Sequence, residues 1–203
     1  MKLVIFDFDG VLVDSKRLWA SAVYRALKKR GYKLSEGYIA DRLKAKLKIS
    51  LRKLKVKITK ALVDEIHNDI TARIKTVHLC RDIGSIGEIK QNAKTAILTN
   101  SPNYFIKKAL KNKRGYFDKI LCAEDFGTKE NAIKNLMKRF KSKKSETFYV
   151  GDMALDLAIA KRVGCRPVIV LAHSWDKKFW LAHKQNNRFI IKSLKELKNA
   201  ARI

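Results

Sequence analysis

Leu3-Val4-Ile5-Phe6-Asp7-Phe8-Asp9-Gly10-Val11 decides the fold of this chain. An apolar run of strand length stops abruptly at two carboxylates one residue apart. Charge taken out of water is costly unless a cation or partner compensates it, so this pair belongs at the open end of a strand, facing positive charge. Alternation along an extended strand end sends Asp7 and Asp9 to one side and turns Phe8 into the core. Gly10 permits the sharp turn that brings main-chain N–H groups round to the site. Asp and Gly are also ordinary turn residues, so the pentapeptide needs support from elsewhere in the chain.

Three later segments supply it. In Ala96-Ile97-Leu98-Thr99-Asn100-Ser101-Pro102 a second apolar strand ends at a hydroxyl residue. Ser101 is a suitable N-cap and Pro102 a suitable first helical residue, which puts Thr99 and Asn100 beside a helix N-terminus, a place that favours anions. Lys129 follows Glu124-Asp125-Phe126-Gly127-Thr128, where a loop enters the helix carrying Ile133, Leu136 and Met137. In Thr147-Phe148-Tyr149-Val150-Gly151-Asp152-Met153-Ala154-Leu155-Asp156 a strand again ends in Gly-Asp. Asp156 lies one helical turn beyond Asp152, so both carboxylates can face one spot.

Taken in order, these segments resemble the motifs of the haloacid-dehalogenase-like superfamily, and within it the phosphoglycolate-phosphatase-like branch. Phe6 to Ser15 is similar to the family's first motif, Leu98-Thr99-Asn100 to its second, and Val150-Gly151-Asp152 through Asp156 to its fourth. Lys129 falls where the third motif has its lysine, although Glu130 stands where many members have proline. The second carboxylate, Asp9, is absent from the dehalogenase members, so the resemblance implies phosphate chemistry. It implies Asp7 as nucleophile and Mg²⁺ ligand, and Asp9 as general acid–base, with its backbone carbonyl on the metal. It further implies Asp152 as a direct Mg²⁺ ligand and Asp156 as a residue orienting a water or Lys129. Gly10, Thr99, Asn100 and Lys129 are the expected phosphate-binding set. The chemistry suits the residues: a carboxylate nucleophile splits one hard step into two, and two anions approach each other only with a cation between them. Mg²⁺ takes a few carboxylates and keeps waters.

Apolar runs at Leu3–Phe6, Thr95–Leu98, Ile120–Cys122, Phe148–Val150 and Val168–Leu171 alternate with helix-like segments. That alternation predicts an α/β fold, a Rossmann-like parallel sheet core whose ligands bind beyond the carboxyl ends of the strands. A small helical cap is expected as an insertion after the first strand, with 16–77 as cap and 1–15 plus 78–203 as core. Leu18, Trp19, Ala22, Val23, Ala26 and Leu27 form one helical stripe, ended by Gly31; Leu62, Ile66, Ile70 and Ile74 form another. Between them, residues 46–58 fit a strand or a helix by periodicity, and the family's helical caps favour helix. Cap residues generally choose the substrate in this family. Arg52 and its lysine neighbours are therefore candidates for a second anionic group, against the commoner use of such charge as a solvated helix face.

The 203 residues suit one core plus an insertion, and no apolar stretch reaches membrane-spanning length. With a catalytic-looking strand so early in the chain, no signal peptide is expected. Cys80, Cys122 and Cys165 form neither a zinc pattern nor a disulfide framework, which points to a reducing cytoplasm. His67, His78, His173 and His183 lack ligand spacing, and Trp175 and Trp180 are expected to pack the closing helix. A monomer or a homodimer is expected.

The charge is the unabsorbed feature: Lys and Arg number 46 against 19 Asp and Glu, a formal net charge of +27. Such a field speeds the approach of phosphorylated substrates and supports weak, non-specific, salt-sensitive nucleic-acid binding. The leading expectation is a Mg²⁺-dependent phosphomonoesterase acting on a small phosphorylated metabolite, phosphoglycolate- or sugar-phosphate-like. The alternatives are a nucleic-acid-associated protein, either an end-phosphatase or a basic binding module, and a phosphomutase.

Overall fold

The computed structural model describes residues 1–43, 46–182 and 189–203. It divides into two compact units, one made of residues 1–14 and 79–203, the other of 15–78.

The first unit is built on a six-stranded parallel sheet. β1 (Leu3–Phe6) is followed in the chain by β2 (Lys94–Leu98), β3 (Lys119–Leu121), β4 (Thr147–Gly151), β5 (Arg166–Val170) and β6 (Ile190–Ile191), in the spatial order β3-β2-β1-β4-β5-β6. β1 lies between β2 and β4 with Phe6 opposite Ile97 and Val150, and all four of its side chains are fully buried. A parallel strand covered on both faces has no need of polar alternation, which is why it reads as a continuous apolar run. Helices α7 (Lys129–Arg139) and α8 (Ala154–Val163) cover one face, where Ile133, Leu136, Ile159 and Val163 pack on Leu3, Ile5, Ala96 and Leu98. On the opposite side Phe6 meets Phe117 edge-on, and Phe8 meets Phe105 of α6 (Asn103–Leu110). The remaining helices of this unit are α5 (Ser85–Asn92), α9 (Lys177–Ala182) and α10 (Leu197–Ala201).

The second unit is helical: α1 (Lys16–Lys28), α2 (Glu36–Arg42), α3 (Leu47–Lys53) and α4 (Lys60–Arg73). Both sequence stripes are its core, and Leu18, Trp19, Ala22, Val23, Ala26, Leu27, Leu62, Ile66, Ile70 and Ile74 are buried. Segment 46–58 is helical through Lys53 only; Leu54 ends the helix, Lys55 takes a positive φ, and Ile58 lies beyond it.

Two local expectations are corrected. Ser101 does not cap α6; Pro102, extended at ψ 154°, is the N-cap. The hydroxyl of Ser101 is committed elsewhere, to Asp9, and the first helical N–H, that of Asn103, donates to the Glu124 carboxylate at 3.2 Å. That N-terminus is therefore already capped by an anion. Trp180 belongs to α9 and not to a closing helix, and it is buried against Ile169 and Leu171. His67 and His173 are half-buried and His78 is exposed, while the reading of His183 falls outside the described residues. Among the described residues no helix is long and apolar enough to cross a membrane, and the three cysteines are free and buried.

Candidate active site

The site is assembled at the carboxyl ends of β1, β2 and β4, as the sheet geometry requires. Asp7 is the first residue past β1, and its N–H still donates to Val150 O at 2.8 Å, so the backbone is fixed to the end of the sheet. The carboxylate is held at both oxygens. Oδ1 accepts the N–H of Phe8 at 2.7 Å, and Oδ2 accepts from Lys129 Nζ at 2.6 Å.

Lys129 is the first residue of α7 and is itself buried, 5% exposed. Thr128 caps this helix by accepting the Asn131 N–H, which sets where the lysine leaves the backbone. Besides Asp7, the ammonium donates to the Tyr149 hydroxyl at 2.8 Å and lies 3.5 Å from Asp156 Oδ1. Tyr149 passes its own proton on to Asp156 Oδ1 at 2.9 Å. Asp156 Oδ2 accepts the N–H groups of Asp152 and Met153 at 3.2 and 3.1 Å, a third-residue carboxylate reaching back over the start of α8. Gly151 makes this possible, because a Cβ there would sit 2.2 Å from that of Asp156.

Asp152 is held from a segment in which the sequence shows no motif. Its Oδ2 accepts the Trp175 N–H at 2.6 Å, and its carbonyl accepts both Ser174 Oγ at 2.7 Å and the Trp180 indole N–H at 2.6 Å. Asp176 fastens the same segment to the start of α8 through the Ala154 N–H. Asp152 Oδ1 accepts no hydrogen bond among the described residues.

Asp7, Asp152 and Asp156 each bring a carboxylate oxygen within 4.8 Å of the others. Three buried carboxylates face one ammonium, so the cluster holds more negative charge than Lys129 neutralises. Burial, opposed by Lys129 and reinforced by Asp156, pushes the Asp7 carboxyl up to about 7. Burial and then Asp156 push Asp152 well above the usual carboxylate range. Burial works against the Lys129 ammonium, but Asp7 and Asp156 outweigh it and raise its pKa. A hard divalent cation bound by oxygen would relieve this imbalance, and the donor set fits Mg²⁺.

Asp9 does not join the triad. It is half-buried and accepts from Ser101 Oγ at 2.5 Å. Thr99 is fully buried just past β2, its N–H bonded to Leu121 O and its Oγ1 accepting the Ser101 N–H; Asn100 is half-buried beside it. The Gly10 N–H is taken by Val13 O at 2.9 Å, so this residue gives the site space and not a donor. Arg52 belongs to the helical unit, exposed on α3.

Sequence reasoning missed Tyr149, Ser174, Trp175 and Trp180. Tyr149 reads as one more apolar strand residue, and only its central place in the sheet reveals a hydroxyl aimed at Lys129.

The family model of haloacid dehalogenase-like hydrolases matches residues 4–170. A phosphoglycolate phosphatase of Aquifex aeolicus is 26% identical over 187 residues, 84% of this chain and 85% of its own length. One from Vibrio parahaemolyticus is 29% identical, covering 81% of each chain. A haloacid dehalogenase-like hydrolase from Streptococcus pneumoniae superposes with a TM-score of 0.82 at 18% identity, over 98% of this chain and 97% of the other. The family match contains the Asp7, Thr99, Lys129, Asp152 and Asp156 positions, and the chain belongs to the haloacid dehalogenase-like hydrolases, with the phosphoglycolate-phosphatase-like branch as its kin.

Proposed function

We propose that this hydrolase is a Mg²⁺-dependent phosphomonoesterase acting on a small phosphorylated metabolite, phosphoglycolate- or sugar-phosphate-like, through an aspartyl phosphate. The observation that carries the reading is the buried ion pair of Asp7 with Lys129 inside the Asp7–Asp152–Asp156 cluster. A nucleophilic carboxylate needs a fixed direction and adjoining positive charge to meet a phosphoryl group, and the hydrogen bonds to Phe8 and Lys129 supply both.

In the first half-reaction an Asp7 oxygen attacks phosphorus. The bond from phosphorus to the ester oxygen breaks, and Asp9 gives that oxygen a proton. In the second, water attacks the aspartyl phosphate and yields a proton to Asp9. The bond from phosphorus to Asp7 then breaks and inorganic phosphate leaves. Thr99, the Asn100 amide and Lys129 bind phosphoryl oxygens as charge moves onto them. Asp7, Asp152 and the Asp9 carbonyl would hold Mg²⁺, which would supply positive charge against carboxylate and phosphate. The helical unit takes the family's role of substrate-choosing cap, with Arg52 as its candidate contact to a second anionic group. Three buried thiols without a disulfide suit a reducing cytoplasm.

A panel of phosphomonoesters assayed with Mg²⁺ tests this. Turnover of at least one small metabolite should stop in chelator and return with Mg²⁺. Full turnover with metal verified as absent contradicts the reading, and transfer of phosphate to a second sugar hydroxyl makes the protein a mutase.

Tyr149→Phe offers a finer test. Its hydroxyl is the only group bridging Lys129 to Asp156 by hydrogen bonds on both sides among the described residues. Hydrogen bonds to charged groups contribute roughly 1.5–3 kcal/mol, so kcat should fall by about tenfold or more while KM moves little. An unchanged kcat would show that the ion pairs alone position Lys129.

A further inference from the structure

Phosphate chemistry at one buried site does not account for a net charge of +27, and the helical unit shows where part of that charge goes unanswered. Its carboxylates are not spread evenly over its cations. Glu65 on α4 pairs with Lys29 and Arg30 at 2.9 and 2.5 Å, and Asp69 with Arg25 and Arg73 at 2.5 and 3.1 Å. Arg25 ties α1 to α4 through Asp69, Lys29 and Arg30 just past α1 reach Glu65, and Arg73–Asp69 lies within α4. No acidic residue occurs between Asp41 and Asp64, where Lys46, Lys48, Arg52, Lys53, Lys55 and Lys57 lie on α3 and the chain after it. All are exposed, and none has a side-chain ion pair among the described residues. Leu51, Leu54 and Val56 are buried beneath them, so the charges stand on an anchored segment.

We propose that residues 46–57 are a docking arm for the phosphodiester backbone of nucleic acid. Clustered cations held at fixed spacing gain affinity by releasing the counterions condensed on a polyanion. The segment contains no aromatic residue, so it offers no platform for stacking bases; it reads charge and not sequence. A membrane surface is disfavoured because α3 is seven residues long and Ile49 is its one large hydrophobic side chain that is exposed, too little to enter a lipid interface. The arm would hold the hydrolase on a polyanion without making that polymer its substrate.

The test compares two variants by fluorescence anisotropy with a labelled single-stranded RNA and a labelled DNA duplex, in chelator so that turnover plays no part. The arm variant carries Lys48→Gln, Lys53→Gln, Lys55→Gln and Lys57→Gln, with Arg52 left intact as a candidate substrate contact. The control carries Lys134→Gln, Lys138→Gln, Lys177→Gln and Lys178→Gln, an equal charge loss at exposed positions of the sheet unit. The arm variant should lose at least about tenfold in affinity near physiological salt. Its log–log salt slope on the duplex should fall by about 0.9 for each contact removed, while the control stays close to the parent. Circular dichroism checks folding, and Lys48→Gln with Lys53→Gln replaces the arm variant if it fails that check. Equal losses in both variants would overturn the arm in favour of diffuse charge. No binding by the parent at low salt would overturn it outright. Arm-dependent binding to phosphatidylserine vesicles in place of nucleic acid would overturn the assigned partner. Because no catalysis enters the measurement, each result leaves the phosphomonoesterase assignment to its own test.

Discussion

Asp7→Asn should abolish turnover while leaving a folded protein, and no other single substitution should cost more activity for so little structure. The amide lacks the electron pair and charge needed to attack phosphorus, so the loss should be at least about a thousandfold, as for nucleophiles elsewhere. The structural change is small. Both Asp7 oxygens are acceptors, one from the Phe8 N–H and one from Lys129, and an amide keeps only one of these bonds. Losing the other, a hydrogen bond to a charged group, costs roughly 1.5–3 kcal/mol. In the metal-free protein this is partly offset, because the substitution removes a charge that burial and Asp156 already disfavour, pushing the Asp7 carboxyl up to about 7. The sign follows from linkage. A carboxyl whose folded pKa is raised adds no cost well below its unfolded value near 3.8 and costs stability increasingly as pH rises toward about 7. Asn carries no such cost, so the melting temperature of Asp7→Asn relative to the parent should improve from acid to neutral pH in chelator. Substantial phosphatase activity in a cooperatively folded Asp7→Asn protein would contradict the aspartyl-phosphate mechanism.

How much of this site the sequence made legible depended on whether a residue's role was local. Leu3–Phe6 running into Asp7 was legible because a parallel strand buried on both faces must be apolar and must stop where charge begins. Phe8 turning inward followed from alternation, and the stripes of α1 and α4 from the helical period. Asp152 and Asp156 converge, although Asp152 precedes α8 and only Asp156 is within it. Their meeting comes from a side chain bent back over the helix start and not from two positions on one helical face. The Ser101 cap failed because the extended Pro102 takes the N-cap position, one residue later than the N-cap signal implied, and the Ser101 hydroxyl instead donates to Asp9, far away in sequence. Short elements with few periodic residues, such as α2, α5 and β6, left no signal strong enough to predict. Tyr149, Ser174 and Trp180 were illegible for a deeper reason: each acts through a partner that only the tertiary structure brings near.

Gly10→Ala, which puts a methyl where there is only a hydrogen, should cost most of the activity. The φ of Gly10 is +78°, and a Cβ placed on it would lie 2.3 Å from Asp152 Oδ2 and 2.5 Å from Asp152 Cγ. Asp152 has no room to retreat, because the Trp175 N–H grips that same oxygen while Ser174 and Trp180 hold its carbonyl. Gly10→Ala therefore has to displace either the turn after Asp9 or the carboxylate proposed to ligate Mg²⁺. Gly31 separates the two components of that expectation. It has nearly the same φ, +79°, but nothing lies within 4 Å of where its Cβ would go. Gly31→Ala should show backbone strain alone, roughly 1 kcal/mol and a fall of about 2–4 °C in melting temperature, with turnover intact. Gly10→Ala should show that strain and in addition lose about a hundredfold or more in kcat/KM, since small displacements of a catalytic group carry costs of that order. The Mg²⁺ concentration needed for half-maximal activity should rise with it. If the two alanine variants prove equally active, the close approach of Gly10 to Asp152 has no part in building the site.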